Sequence, residues 1–478
     1  MIINSFEFLL FFIIFFVIYY IPRLNTRYQN LLLLVGSYFF YGYASLRMLP
    51  LLIAVTIIFY YLGLAIQKSG DTKKASILTA LGVWSGVGIL LYFKYFNFFI
   101  TSFSELFESF GLQTNWHTFN IIMPLGISFF TFKLISYIIE IHRGHIEADR
   151  DFISFAAYVS FFPCILSGPI DRPNSFIPQL SQTRHFDYDM ASDGLRQILW
   201  GMFKKMVLAD NIAVVVDQVW SSYTAFPSST LILAAVLYSF QMYTDFSGYS
   251  DMAIGIALLL GFRFNINFDS PYKSTSITEF WRRWHISLSS WLRDYLYISM
   301  GGNRKGKVRT YINLMLTMLI GGFWHGASLL FVFWGAWHGL LLVLHKWFRS
   351  IFPASKEVRS RWYWTNVLSI ILTFNLVCIG WVFFRSPSME VAKSVFSRIF
   401  TEFHPEIVWD FISGYANVLF FICLGFLLHF LPHRYSEGVA RKIEMSPVSV
   451  KAFAFALLIV LVIQIKSSEL QPFIYFQF

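Results

Sequence analysis

The strongest constraint on this chain is a series of apolar runs about as long as a bilayer's hydrocarbon core is thick. A helix needs ~20 residues to cross ~30 Å of hydrocarbon. Residues 6–21, 48–66, 77–100, 121–141 and 364–384 approach or reach that length with few charges inside them. Only 13% of the residues are charged and 56% are hydrophobic, with a mean hydropathy of +0.57; a soluble domain is about a quarter charged. The runs are continuous rather than alternating, which excludes a β-barrel. The sequence therefore predicts an all-α polytopic membrane protein.

Basic residues orient it. Arg23 and Arg27 follow the first run, which has no basic stretch before it and no small-residue cleavage site after it; it is expected to be a retained span with the N-terminus outside. Residues 31–43 and 48–66 form a hairpin, Lys68, Lys73 and Lys74 return the chain to the cytoplasm, and 77–100 crosses out. The segment 102–120, with Glu105 and Glu108 but no lysine or arginine, reads as an outer loop, and 121–141 returns to His142, Arg143 and Arg150. Residues 152–170 contain Pro163 and end in Ser167-Gly168-Pro169, too broken for a simple span and expected to be re-entrant. Residues 187–220 mix charges with an apolar face, as an interfacial amphipathic helix does. Two spans, 230–242 and 252–260, bracket a polar island, YTDFSGYSD, with Asp245 and Asp251.

The basic block 263–310 is expected on the cytoplasmic side. Runs at 311–322, 326–344, 364–384, 418–431 and 452–465 complete about twelve transmembrane helices with both termini outside, and the tail 467–478 is then extracytoplasmic. No internal repeat or linker divides residues 1–478, so the sequence reads as a single integral domain. The net charge of +10 belongs to cytoplasmic loops rather than to a nucleic-acid surface. Cys164, Cys378 and Cys423, widely spaced in apolar segments, read as buried inert thiols.

Chemistry concentrates between residues 276 and 345. Four of the eleven histidines lie there, His285, His325, His338 and His345; three follow a tryptophan, and two sit in Trp-His-Gly triplets at membrane depth. Ionisable groups at that depth are costly and point to function. His325 and His338 are 13 positions apart, ~20 Å of rise on a continuous helix, so only a break near Gly326 lets them approach one another. His325, in GGFWHGAS, has the small neighbours a substrate needs. His338 reads as a histidine bonded to a neighbouring helix and His345 as structural. Arg282, Arg283 and Arg293 flank His285; on charge alone they read as an ordinary cytoplasmic basic flank, but guanidinium forks there also suit an anionic, phosphate-bearing donor. A near-neutral imidazole suits removal of a hydroxyl proton. No HExxH, GxSxG, P-loop or GxGxxG motif competes, and no third ligand completes a zinc site.

The motifs FFPCILSGPIDRP (161–173), QMYTDFSGYSDMAIGIALLLGF (241–262), FWRRWHISLSSWLRDYLYISMGGNR (280–304) and GGFWHGASLLFVFWGAWHG (321–339), with the terminal PFIYFQF (472–478), resemble the membrane-bound O-acyltransferase family. The resemblance touches most of the chain and is most specific at its centre. It implies helices around a central tunnel, an acyl thioester, acetyl-CoA above all, entering from the cytoplasm as co-substrate, and no bound cofactor or metal. It puts the essential histidine on His325 and a second family position, Asn or His, on His285. Asp245 and the Arg282/Arg283 pair fall on the donor path. It also implies an exported polysaccharide such as alginate as the final acceptor, an extracytoplasmic esterase-like partner, and the bacterial inner membrane as the location. By likeness to export-acylation systems, the phenol of Tyr475 is expected to relay the acyl group, against the plainer reading of an aromatic membrane anchor. Two rival functions are D-alanyl transfer from a carrier protein to teichoic acid and proton-coupled secondary transport through the histidines and Asp245. Transport fits poorly, because only one segment is clearly broken and paired broken helices are absent.

Overall fold

The computed structural model describes residues 1–21, 25–352 and 363–431 except 403, 405 and 407, with scattered further positions up to 460. The tail 467–478 and Tyr475 lie outside the described residues. Among those described, the regular structure is entirely helical. Among the described residues four helical stretches are long and apolar enough to cross a membrane, Thr26–Ser69, Lys73–Ser109, Leu329–Ile351 and Trp364–Arg385, with Phe6–Tyr19 a shorter apolar helix. The chain divides into two compact units, residues 1–196 with 253–265, and residues 197–252 with 266–478.

The first unit holds α1 (Phe6–Tyr19), α2 (Thr26–Ser45), α3 (Leu49–Ser69), α4 (Lys73–Leu90), α5 (Phe96–Ser109), α6 (Ile127–His142), α7 (Phe152–Ser160), α8 (Phe162–Ile165) and α9 (Pro173–Leu180). Side-chain oxygens of Ser5, Asn25, Thr72 and Asp151 accept first-turn amides of α1, α2, α4 and α7 and so fix where those helices begin. Helix α6 is the centre of this unit, with Phe130, Tyr137 and Ile138 fully buried. Small residues admit its neighbours: a Cβ on Gly63 of α3 would lie 2.7 Å from Tyr137, and one on Gly82 of α4 2.5 Å from Ile138.

Several boundaries differ from those the sequence suggested. The run at 121–141 becomes helical only at Ile127, because Gly126 adopts a left-handed conformation (φ 68°) and its Cα packs onto the Ile165 carbonyl. The segment 102–120 is not all loop: α5 continues to Ser109. The broken segment 152–170 is broken as expected, at Phe161 (φ −45°, ψ 106°) ahead of Pro163. It is buried from Ser154 onward, and the Phe162 amide released there donates to Ser37 Oγ at 3.1 Å.

Helices α10 (Tyr188–Met202) and α12 (Ser228–Leu259) carry residues of both units; α11 is Asp210–Ser221. The polar island does not separate two spans but lies inside the 32-residue α12. A π-helical turn, Phe203–Ala209, turns two lysines onto it. Lys204 pairs with Asp251 and donates to Ser247 Oγ (3.0 Å), while Lys205 Nζ lies 2.7 Å from both Asp210 and Asp245. Gln197 adds a hydrogen bond to Asp251 (3.0 Å). Glycines make the approach possible, since a Cβ on Gly201 would stand 2.5 Å from the Gly248 carbonyl. Lys204, Lys205 and Asp210 are therefore buried, and 203–220 is not the surface-lying amphipathic helix its charges suggested. Buried charges persist when paired.

The second unit continues through α13 (Ile277–Arg283), α14 (Ile286–Trp291), α15 (Lys307–His325), α16 (Leu329–Ile351), α17 (Tyr363–Arg385), α18 (Met389–Thr401), α19 (Val408–Gly414) and α20 (Ala416–Phe430). Within the basic block 263–310, Tyr272, Phe280, Trp284 and His285 are buried. Helices α15 and α16 form a hairpin whose backbones nearly touch. A Cβ on Gly322 would lie 2.2 Å from the Phe331 carbonyl, and one on Gly335 2.4 Å from that of Met318. Cys164 and Cys378 are buried, whereas Cys423 on α20 is exposed.

Candidate active site

Helix α15 ends on His325. Gly326 is fully extended (φ −166°, ψ 158°), and Ser328 starts α16 by accepting the Leu330 amide with its Oγ (3.2 Å). The break near Gly326 therefore exists, and it folds the two Trp-His-Gly triplets against one ring. His325 packs edge-on to Trp334 (centroids 5.0 Å, 87°), and His338 packs on the same indole at 4.8 Å. Trp324 touches His325 (5.1 Å) and reaches the His285 ring (6.3 Å). His325 is thus connected through Trp324 to His285 and through Trp334 to His338.

His285 joins α13 to α14 in the left-handed region (φ 42°, ψ 56°), a conformation that costs a non-glycine residue on the order of 1–3 kcal/mol and clusters at functional sites. Asn267 holds it there. Its carbonyl accepts the Ile286 amide (2.9 Å), and its Oδ1 accepts the Ser287 amide (3.1 Å) and hydroxyl (2.9 Å). Oδ1 is thereby fixed as an acceptor, so His285 Nδ1, 3.2 Å away, donates to it. Nε2 is left with its lone pair and no partner among the described residues. Burial pushes the His285 imidazole down to about 3, so the ring is neutral at physiological pH.

A cavity of about 430 Å³ reaches His325, within the range of small-molecule sites. His325, Trp334 and Trp281 line it, as do Arg282, Arg293 and Lys346. Of the residues singled out in the sequence, His325, Arg282 and Arg293 come together there. Arg282 has no acidic partner among the described residues, whereas Arg293 pairs with Asp294 (2.7 Å). Arg283 is absent from the lining. It is clamped between Asp269 and Glu279 (3.1 Å each); burial raises the Glu279 pKa, but bonds from Thr275 and Arg283 outweigh it and hold the carboxyl below its ordinary value. Asp245 is also absent from the lining and lies in the Lys205 ion-pair knot. His285 is absent from the lining and is connected to the site through Trp324, whose ring lies 6.3 Å from its own. His345 is tied to Thr278 through Nδ1 (2.9 Å), as a structural histidine would be.

Sequence reasoning missed Asn267, Trp334 and Lys346. Trp334 stood inside the motif FVFWGAWHG, where its own role had no marker. Lys346, beside His345, resembled an ordinary membrane-edge lysine, but its Nζ donates to Asn303 Oδ1 (2.8 Å), which also accepts from the Tyr297 hydroxyl.

A buried histidine at a helix break, in the wall of a cavity that two arginines and a lysine also line, is an arrangement suited to acyl transfer from an anionic donor. The chain belongs to the membrane-bound O-acyltransferase family, whose model matches residues 143–386, and it is a membrane O-acyltransferase. It is 45% identical over 402 residues to the probable alginate O-acetylase AlgI of Pseudomonas syringae pv. tomato, covering 84% of this chain and 75% of that protein. It is 39% identical over 497 residues to the probable alginate O-acetylase AlgI of Pseudomonas putida, covering 100% of both. A peptidoglycan O-acetyltransferase of Helicobacter pylori is 35% identical over 399 residues, 78% of this chain and 73% of that protein.

Proposed function

We propose that this O-acyltransferase takes an acetyl group from acetyl-CoA at the cytoplasmic face and moves it across the bacterial inner membrane for O-acetylation of an exported polysaccharide such as alginate. The observation that carries this reading is the cavity, with Arg282, Arg293 and Lys346 in its lining and the His325 imidazole in the same wall. The cations suit the phosphates of coenzyme A, and the apolar wall shelters the thioester from water. An attacking hydroxyl gives its proton to His325 as its oxygen bonds to the thioester carbonyl carbon. The carbon–sulfur bond then breaks, and the proton passes to the departing thiolate. His285, whose Nε2 has no partner among the described residues, assists from across the Trp324 ring.

About twelve spans around a central tunnel complete this reading, with both termini outside, the 263–310 block on the cytoplasmic side and the tail 467–478 beyond the outer face. An extracytoplasmic esterase-like protein receives the group, with Tyr475 as the relay. Tyr475→Phe keeps the ring and removes only the phenol oxygen. Polymer acetylation should be lost in that variant, and unchanged acetylation would leave Tyr475 as a membrane anchor.

Labelled acetyl-CoA and purified protein test the donor. Label transferred to protein or product supports the reading, whereas transfer only from a D-alanyl carrier moves the protein to the teichoic-acid branch. Arg282→Gln and Lys346→Gln should each raise the donor KM about tenfold, the effect of losing one charge-assisted hydrogen bond of ~1.5 kcal/mol, with kcat little changed. A fall in kcat at constant KM would mean that these cations do not hold the donor.

A further inference from the structure

The partner of one imidazole nitrogen decides what the other nitrogen can do. For His285 that partner is the amide of Asn267, which is itself buried and held at both ends. Its Nδ2 donates to Ser250 Oγ at 3.2 Å, on the polar island of α12. Its Oδ1 accepts the Ser287 amide and hydroxyl. Were the amide flipped, Nδ2 would meet the Ser287 N–H donor against donor, so one orientation alone satisfies that end. The backbone reinforces it: the Ile286 amide donates to the Asn267 carbonyl and the Asp269 amide to the Arg283 carbonyl, both at 2.9 Å. Residues 267–269 thus strap the corner in which His285 holds its positive φ of 42°.

The charge of that partner matters as much as its position. A carboxylate beside Nδ1 would favour the imidazolium, whereas an amide accepts the same hydrogen bond without a charge. The remaining contacts are aromatic: Phe246 of α12 packs edge-on to the ring at 4.6 Å, and Phe268 and Trp324 lie at 6.3 Å. Burial, against a smaller opposing backbone hydrogen bond and with no charged side chain contributing, is what holds the ring's basicity down. An imidazole so placed is a poor carrier of protons near neutral pH and a sound acceptor of hydrogen bonds.

We propose that Asn267 is a positioning residue of the acyl transfer, acting through His285. By accepting from Nδ1–H it commits Nε2 to its lone pair, and as a neutral amide it leaves the ring uncharged throughout turnover. His285 then serves as a hydrogen-bond acceptor and neither gains nor loses a proton. The transferred proton goes from the attacking hydroxyl to His325 and on to the thiolate, as above. The polar island of α12 has a second task beside its ion pairs, because Ser250 holds the amide that holds the ring. This inference rests on the assistance assigned to His285 under Proposed function.

The test follows transfer of labelled acetyl from acetyl-CoA by purified full-length protein, with the donor Kd measured beside the rate. His285→Gly sets the reference, since glycine takes the positive φ without strain and removes the ring. Asn267→Leu should slow transfer about tenfold or more with the donor Kd within about twofold of wild type. Added to His285→Gly it should cost less than about twofold further, because a residue that acts through the ring then has nothing to position. Asn267→Asp keeps the acceptor oxygen but raises the imidazole pKa, and Nε2 has its lone pair only above that pKa. Its transfer rate should therefore fall as pH drops, with an acid limb at higher pH than the wild type's, and recover towards the wild-type rate in alkaline buffer. A double variant slowed by the full Asn267→Leu factor, or a wild-type pH profile in Asn267→Asp, would overturn the assignment. Should Asn267→Leu not accumulate, the aspartate variant decides alone. Wild-type transfer by His285→Gly instead removes His285 from the reaction and this inference with it, whereas a slow His285→Gly beside fast Asn267 variants brings down the inference alone.

Discussion

Replacing His325 by alanine is expected to lower acyl transfer about a thousandfold, the middle of the range for removing a general acid–base group. The protein should still fold and still bind donor. His325 is the last residue of α15, and the helix ends at Gly326 in either case. The cations in the cavity lining, Arg282, Arg293 and Lys346, are untouched by the change. The measurement is single-turnover transfer of labelled acetyl, read beside the donor Kd and the melting temperature. A variant that keeps more than about a tenth of the wild-type rate with normal donor affinity would take the proton-transfer role from His325. His285 would then be the next imidazole to test, because its Nε2 has no hydrogen-bond partner among the described residues.

The largest effect on stability is expected at Lys205, which is not in the cavity lining. Lys205→Met removes the cation that lies 2.7 Å from both Asp210 and Asp245 and leaves two buried carboxylates facing each other. Breaking a buried pair by deleting one partner costs about 3–5 kcal/mol. The variant should melt at a markedly lower temperature or fail to accumulate in the membrane. The triple variant Lys205→Met, Asp210→Leu, Asp245→Leu, which removes every charge together, should recover much of the loss. If the single variant is as stable as wild type, the knot does not hold α12 and the π-helical turn together. Asp245 would then be available for the donor path after all.

The helical class, the membrane setting and the importance of the 276–345 stretch were all legible in the sequence. Bilayer thickness sets the length of an apolar run, and a histidine among tryptophans inside such a run has few bland explanations. The same logic failed wherever polar residues satisfied one another across distance. YTDFSGYSD read as a polar island between two spans, and 187–220 read as an interfacial helix because it mixes charges with an apolar face. Each made the other's burial possible, and nothing local in either segment announces the pairing. Arg283 shows the reverse error. Beside Arg282 it looked equally fit for a donor, yet residues at successive positions on a short helix point different ways, and Arg283 turned to Asp269 and Glu279.

The sequence by itself determined that the chain is helical, apolar and built around Trp-His-Gly at membrane depth, because composition and run length act locally and need no partner. Only the tertiary structure decided which histidines meet. The break after His325 brings residues 325 and 338 onto one indole, Asn267 fixes the tautomer of His285, and a lysine from the far end of α16 joins two arginines around a single cavity. Convergence of this kind depends on where helices stop and how closely glycines let them approach, and those are properties of the packed chain.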